Sequence, residues 1–296
     1  MDSLFIALQH LIPQHLLSRL AGALAELRQP LWLKDWIIRR FISHFRVDMS
    51  EAADPRPDSY DNFNAFFTRA LRAGARPIAG APVVCPADGA ISQLGKIDDH
   101  SIFQAKGHAY STRALLGGDS ERAEQFRNGC FATIYLSPRD YHRVHMPVAG
   151  RLVGTRYIPG DLFSVNGVTA DRVERLFARN ERLVCYFDTE FGPMAMVLVG
   201  AMIVAGIETV WGAQEVPPPR RILSTDFSAA PAEVRLDKGA EMGRFKLGST
   251  VILLFPQGAV EWDSRYRAGT PTRLGEALAA VSTGGAQAVP SPWHKP

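Results

Sequence analysis

The chain is 296 residues long, 46% hydrophobic and 21% charged, with a net charge of +3. That composition excludes a globally disordered chain, and the charge is too small to argue for nucleic acid, although mild basicity suits an anionic membrane surface. The length allows one large domain or two, with a sizeable core. Cys85, Cys130 and Cys185 are scattered and lack a C-x-x-C spacing. They read as reduced core thiols, with neither a disulfide framework nor a zinc site.

Residues 1 to about 46 carry a helical pattern. The start, Met1-Asp2-Ser3, has no basic n-region, so no secretory signal peptide is expected. Leu4, Leu8, Leu11 and Ile12 fall at helical spacing, and Pro13 opens a second helix carrying Leu16, Leu17, Leu20 and Leu24. The most apolar run, Ser3 to Ser18, is interrupted by Gln9, His10, Pro13, Gln14 and His15, so no transmembrane helix is expected. Pro30 ends the second helix, and a third is predicted over Leu31 to Arg46. Its Leu33, Ile37, Ile38, Phe41, Ile42 and Phe45 fill about half the cylinder. Asp35, Arg39, Arg40, Ser43 and Arg46 fill the other half, while Lys34, Trp36 and His44 break the pattern. Such a helix either packs its apolar stripe on a core, the commoner outcome, or lies in a bilayer interface.

Residues 47 to 80 read as a polar connector with short helices, among them the aromatic-faced stretch Tyr60 to Arg69. From Val83 onward, short β-rich runs alternate with Gly, Pro and Asp turns. Strands are predicted at Val83-Val84, Gly89 to Ser92, Cys130 to Leu136, Gly150 to Ile158, Leu183 to Phe187, Met194 to Ile207 and Thr250 to Phe255. A helical turn is expected within Leu162 to Ala178. Many short strands with turn signals point to packed antiparallel sheets. The expected fold class is α+β: N-terminal amphipathic helices followed by a mostly antiparallel β catalytic domain. The expected division is 1–60 helical and membrane-associating, 61–280 catalytic, and 281–296 a loose tail. Pro217-Pro218-Pro219 reads as a stiff connector. No Gly-rich nucleotide loop of the Rossmann or Walker type is present.

Four segments stand out chemically. Pro86-Ala87-Asp88-Gly89-Ala90 contains an Asp-Gly pair that ordinarily just makes a turn. Ser137 to Pro147 holds His142 and His145 three residues apart among Arg, Asp and Tyr. They suit a hydrogen-bonded structural pair or two metal ligands, but no third ligand is evident. Tyr157 to Asn166 mixes apolar and polar groups suited to lining a pocket. Last, Gly248-Ser249-Thr250 sits between a charged turn and a buried-looking strand. A serine there can attack its own preceding carbonyl, although the ordinary reading is a strand that opens with small polar residues.

In this order, the PADGAIS, SPRDYHRVHMP, YIPGDLFSVN and KGAEMGRFKLGSTVI segments resemble those of bacterial phosphatidylserine decarboxylases. The resemblance runs from about Tyr60 to about Leu278. It implies a self-processing enzyme in which Asp88, His145 and Ser249 form a relay. His145 accepts the Ser249 hydroxyl proton while Asp88 fixes its tautomer. The serine oxygen attacks the Gly248 carbonyl, and β-elimination and hydrolysis then leave a pyruvoyl group at residue 249 with loss of ammonia. That group is the implied cofactor, with no metal; it takes the phosphatidylserine amine as a Schiff base and acts as an electron sink. His142 is implicated in this second stage, with Asp140 a rival for orienting a histidine. Substrate contacts are expected at Tyr157, Phe163 and Ser164, and at the aromatic Phe63, Phe66 and Phe67.

Two chains, β (1–248) and α (249–296), are implied, with a further homodimer as a family expectation and no nucleic-acid partner. The implied location is peripheral, on the cytoplasmic face of the bacterial membrane. A serine hydrolase using the same three residues on an external ester is the main alternative, and the absence of a G-x-S-x-G elbow counts against it. A non-catalytic membrane-binding protein and a decarboxylase of a soluble amino acid are the other readings.

Overall fold

The computed structural model describes residues 9, 14–201, 206–213, 220–228, 233–246 and 249–282. The expected first helix around Leu4 to Ile12, the triple proline, the tail beyond 282, and Leu247 and Gly248 lie outside the described residues. The helices α1 (Gln14–Ala25) and α2 (Leu31–Phe45) form where the apolar spacing placed them. Arg46 closes α2 in a left-handed conformation at φ 56°, and its N–H returns to the Ile42 carbonyl. A short helix, α3 (Phe63–Phe67), is capped by the Asn62 side chain, which accepts the Ala65 N–H.

The apolar stripe of α2 is spent on the protein itself. Ile38 is fully buried beside Phe63, Phe66 and Phe67. Phe41 meets those three rings edge-on, with centroids at 5.0, 5.9 and 5.9 Å. Each such side chain contributes roughly 1.5–3 kcal/mol on burial. Lys34 breaks the helical pattern because it too is buried. Its ammonium donates to the Tyr60 carbonyl at 2.6 Å and pairs with Asp35 at 2.8 Å. Trp32 and Trp36 face outward instead, with Leu16, Leu20, Leu24 and Leu31 also exposed.

The strands pair antiparallel throughout the described residues. Eight of them organise the site: β1 (Gly89–Lys96), β2 (Cys130–Leu136), β3 (Arg143–His145), β4 (Gly150–Ile158), β5 (Arg182–Thr189), β6 (Gly192–Val199), β7 (Glu241–Lys246) and β8 (Ser249–Phe255). The large sheet runs Leu223–Asp226, β4, β5, β6, β8, β2, β1, Pro271–Thr272. A second sheet runs Gly212–Ala213, Gly206–Thr209, β7, β3. The predicted strand from Met194 to Ile207 is thus two elements in different sheets. The helical turn expected within 162–178 is also two pieces, Gly167–Ala170 and Leu176–Arg179.

Strand β8 lies in the middle of the large sheet and is buried on both faces. Val251, Leu253 and Phe255 join one core cluster, while Ile252 and Leu254 join the other. This explains the unbroken apolar run Val251-Ile252-Leu253-Leu254-Phe255, since neither face needs a polar residue. The three cysteines are free and buried.

Candidate active site

The chain leaves β2, turns through residues 137–142 and enters β3, and the strands β7 and β8 pair with β3 and β2 respectively. Ser249 is registered against Leu136 in the large sheet, and Arg244 against Arg143 in the small one. The Phe245 N–H donates to the His142 carbonyl at 3.0 Å between those pairs. The antiparallel ladders therefore hold the two-histidine segment alongside the start of β8. Gly248 itself lies outside the described residues, and Ser249 is described only by its place in the strand.

The Pro86–Ala90 segment is fastened to the same place. The His145 N–H donates to the Pro86 carbonyl at 2.8 Å. Gly89 runs tight against the backbone of Tyr135, and a Cβ there would collide with the Tyr135 carbonyl oxygen. The Asp-Gly pair is thus a close backbone approach that admits no side chain.

The relay expected between Asp88 and His145 takes a different form. Asp88 is 8% exposed and is held by Arg76, whose Nε lies 2.9 Å from Oδ1, and by the Leu274 N–H at 2.8 Å. The Arg76 Nη2 binds Asp88 as well, and also Glu51 at 2.6 Å. These donors saturate the carboxylate. His145 instead places Nδ1 2.8 Å from the Gly239 carbonyl and Nε2 3.1 Å from the Tyr141 hydroxyl. A carbonyl only accepts, so Nδ1 carries the proton and Nε2 is the basic nitrogen. The tautomer is set by Gly239, not by Asp88 or Asp140. Asp140 is occupied in its own turn, where it accepts from the Ser137 N–H and hydroxyl, both at 2.7 Å. Burial lowers the pKa of His145 from its ordinary value, which keeps the ring neutral.

His142 is fully buried. Its Nδ1 donates to the Asp140 carbonyl at 2.8 Å, and the Phe67 ring lies over it at 4.0 Å. Its Nε2 has no hydrogen-bond partner among the described residues. Burial pushes its pKa down to about 3. A buried acceptor left unpartnered is costly and uncommon. Among the residues that take part here, Arg76 carried no signal in the sequence, Tyr141 and Gly239 carried no assigned role, and Phe67 was expected as a substrate contact rather than as the cover over His142. Tyr141 and Gly239 lie within the motif segments; Arg76 is brought in by the fold.

The 157–166 loop is placed elsewhere. Phe163 is 2% exposed and belongs to a core cluster with Val165, Leu176 and Phe177. The expectation that Phe163 lines a substrate pocket therefore meets a core side chain, recruited because the loop lies across a sheet face. Tyr157 is 7% exposed and borders a cleft of about 320 Å³ with His15, Arg19 and Glu181. The Ser164 N–H is taken by the Gln9 side chain at 2.8 Å. Among the described residues no cluster of His, Cys, Asp or Glu is arranged to hold a metal ion.

Comparison with known proteins gives this geometry its context. The family model for phosphatidylserine decarboxylase matches residues 63–280, and one described as PSD matches 4–46. The chain belongs to the phosphatidylserine decarboxylase family. The phosphatidylserine decarboxylase proenzyme of Stutzerimonas stutzeri is 57% identical, covering 97% of this chain and 98% of the relative. Those of Bordetella petrii and Pseudomonas aeruginosa are each 59% identical, over 94% of this chain and 97% of theirs. Membership thus extends over the helical N-terminus as well as the sheets, and the residues that surround His142 and His145 all fall within the matched span.

Proposed function

We propose that this chain is a phosphatidylserine decarboxylase proenzyme that cuts itself between Gly248 and Ser249. The observation that carries the mechanism is the pair of histidines beside the start of β8, each with Nδ1–H donating to a backbone carbonyl and Nε2 left as the acceptor nitrogen. In the precursor, His145 Nε2 takes the Ser249 hydroxyl proton and the oxygen attacks the Gly248 carbonyl. Nucleophile and target are in adjacent residues, so roughly 7–11 kcal/mol of the barrier is open to removal by positioning alone. Gly248 presents no side chain to obstruct the approach. Tyr141, which holds Nε2 at 3.1 Å, must release it or share it as the proton moves. Asp88 contributes through its charge and through the Pro86 tether, since its oxygens belong to Arg76 and Leu274.

Position 249 suits a carbonyl cofactor. It opens a central strand that the antiparallel ladders hold alongside the two-histidine segment. A pyruvoyl group there supplies an electron sink for loss of carbon dioxide from an amine-linked substrate. In this reading His142 serves that chemistry as a neutral hydrogen-bond acceptor through Nε2, orienting a donor of the substrate rather than taking its proton. The division of labour follows the chain, with residues 1–60 meeting the bilayer, 61–280 carrying the site and 281–296 serving as a tail. Trp32, Trp36 and the exposed leucines of α1 form the face that meets lipid, and basic residues add attraction to anionic headgroups. No described helix is long and apolar enough to cross a membrane.

Intact mass of the purified protein tests the proposal. The expected result is two chains, 1–248 and 249–296, the smaller blocked at its first residue. Ser249→Ala leaves one full-length, inactive chain. A single-chain protein that still decarboxylates phosphatidylserine would overturn the reading.

A further inference from the structure

Beside the histidine segment lies a polar cleft of about 340 Å³, walled by Arg46, Arg69, Arg76, Arg139 and Arg273, by the carboxylates Asp48, Glu51, Asp88 and Asp140, and by Leu71 and Tyr141. Two of the five arginines are neutralised: Arg76 by Asp88 and Glu51, and Arg273 by Glu51 at 2.6 Å. Arg139 is exposed and reaches Asp140 only at 3.9 Å, while Asp140 is engaged by Ser137. Arg46, which caps α2, has no carboxylate within ion-pair distance among the described residues.

Arg69 is the unusual member. It is 4% exposed, yet no carboxylate pairs with it among the described residues. Its Nε has no partner, its Nη2 makes one long contact of 3.4 Å with the Arg139 carbonyl, and its guanidinium lies 5.4 Å from the Phe66 ring centroid. A buried cation without a counter-ion is costly unless something supplies the charge. The bidentate geometry of guanidinium matches a phosphate or a carboxylate.

We infer that Arg69, with Arg46 and Arg139 at the mouth, is the binding site for the phosphodiester of a glycerophospholipid headgroup. The inference rests on the decarboxylase reading and names where its substrate is gripped. The position agrees on both sides. Phe67, two residues before Arg69, covers His142, and the Tyr141 ring that walls the cleft reaches His145. Arg46 directly follows Phe45, which lines an apolar cleft of about 350 Å³ with Leu24, Trp36, Phe41 and Phe63. A cationic site thus sits between a carbon-lined cleft and the reacting histidines, matching the order acyl chain, phosphate, amine along the lipid. The phosphate is favoured over the substrate carboxylate for a chemical reason. A guanidinium paired with the departing carboxylate stabilises the ground state and slows loss of carbon dioxide.

The test uses the full-length, self-processed protein on mixed micelles of phosphatidylserine. Arg69→Gln and, separately, the exposed Arg139→Gln are expected to cleave themselves as the parent does. Their KM for phosphatidylserine should rise, by about tenfold to a hundredfold for Arg69→Gln and less for Arg139→Gln, with kcat little changed. Serine methyl ester, which has no phosphate, should be turned over equally by the parent and both variants. Soluble glycerophosphoserine should compete with the lipid in the parent and not in Arg69→Gln, and more tightly than inorganic phosphate. Unchanged KM in Arg139→Gln together with unchanged KM or lost processing in Arg69→Gln overturns the site. So does a defect shared by serine methyl ester, or tighter binding of inorganic phosphate than of glycerophosphoserine. A parent protein that processes itself but converts no phosphatidylserine overturns the decarboxylase reading instead.

Discussion

His142 and His145 are three residues apart and have been given opposite surroundings. His145 stands in a polar corner, with both ring nitrogens hydrogen-bonded and charged neighbours in Arg143 and Glu241. His142 is sealed under Phe67 with one nitrogen unpartnered among the described residues. Both rings are kept neutral by burial, His142 far more so. The difference teaches that two imidazoles three residues apart can be given surroundings that suit the two different tasks proposed for them. A proton shuttle for a single internal cut tolerates existing partners that must rearrange. A group that meets an incoming substrate keeps its acceptor free.

That contrast can be broken at either histidine. The largest effect is expected for His145→Gln, which should slow self-cleavage by about 10²–10⁴-fold, read as the fraction of uncut chain over time. His142→Ala should leave cleavage within a few-fold of the parent while lowering decarboxylation by a factor on the order of 10²; equal losses in both stages would erase the distinction between the two rings. Acid should sharpen it. Only neutral His145 accepts a proton and its pKa is lowered, so cleavage should hold steady near neutrality and fall along a titration with its midpoint below 6.5.

Stability has the same sign. Each folded histidine binds protons less readily than in the unfolded chain, so stability should decline as pH falls below 6.5, and for His142 on through about 3. Denaturant midpoints across that range check it. The smallest effect belongs to Tyr141→Phe. Losing one neutral hydrogen bond to His145 should change the cleavage rate by about tenfold or less, since such a bond is worth about 1 kcal/mol.

Much of this was legible in the sequence because it is local. The periodicity of 31–46 yielded a helix within one residue of its observed end, and the apolar run 251–255 yielded the central strand. The motif order led to the family. That Asp88 and His145 would be held apart was not legible, because it depends on competitors far along the chain. Arg76, Leu274 and Gly239 reach the site only through folding, and they claim Asp88 and His145 separately. The burial of Phe163 in a core cluster was not legible for a related reason: an aromatic in a loop looks the same in sequence whether the loop borders a cleft or lies over a sheet.

By itself the sequence determined the kinds of element, the family, and which residue types are available for proton transfer at the proposed 248–249 step. These follow from spacing along the chain and from side-chain chemistry, which need no neighbours. The tertiary structure decided which partner each side chain has. It assigned the His145 tautomer to a backbone carbonyl, turned Lys34 inward and Trp36 outward, and left the guanidinium of Arg69 buried without a carboxylate among the described residues. Those outcomes depend on burial and on distances of a few ångströms between segments remote in sequence, quantities that exist only once the sheets have closed around the site.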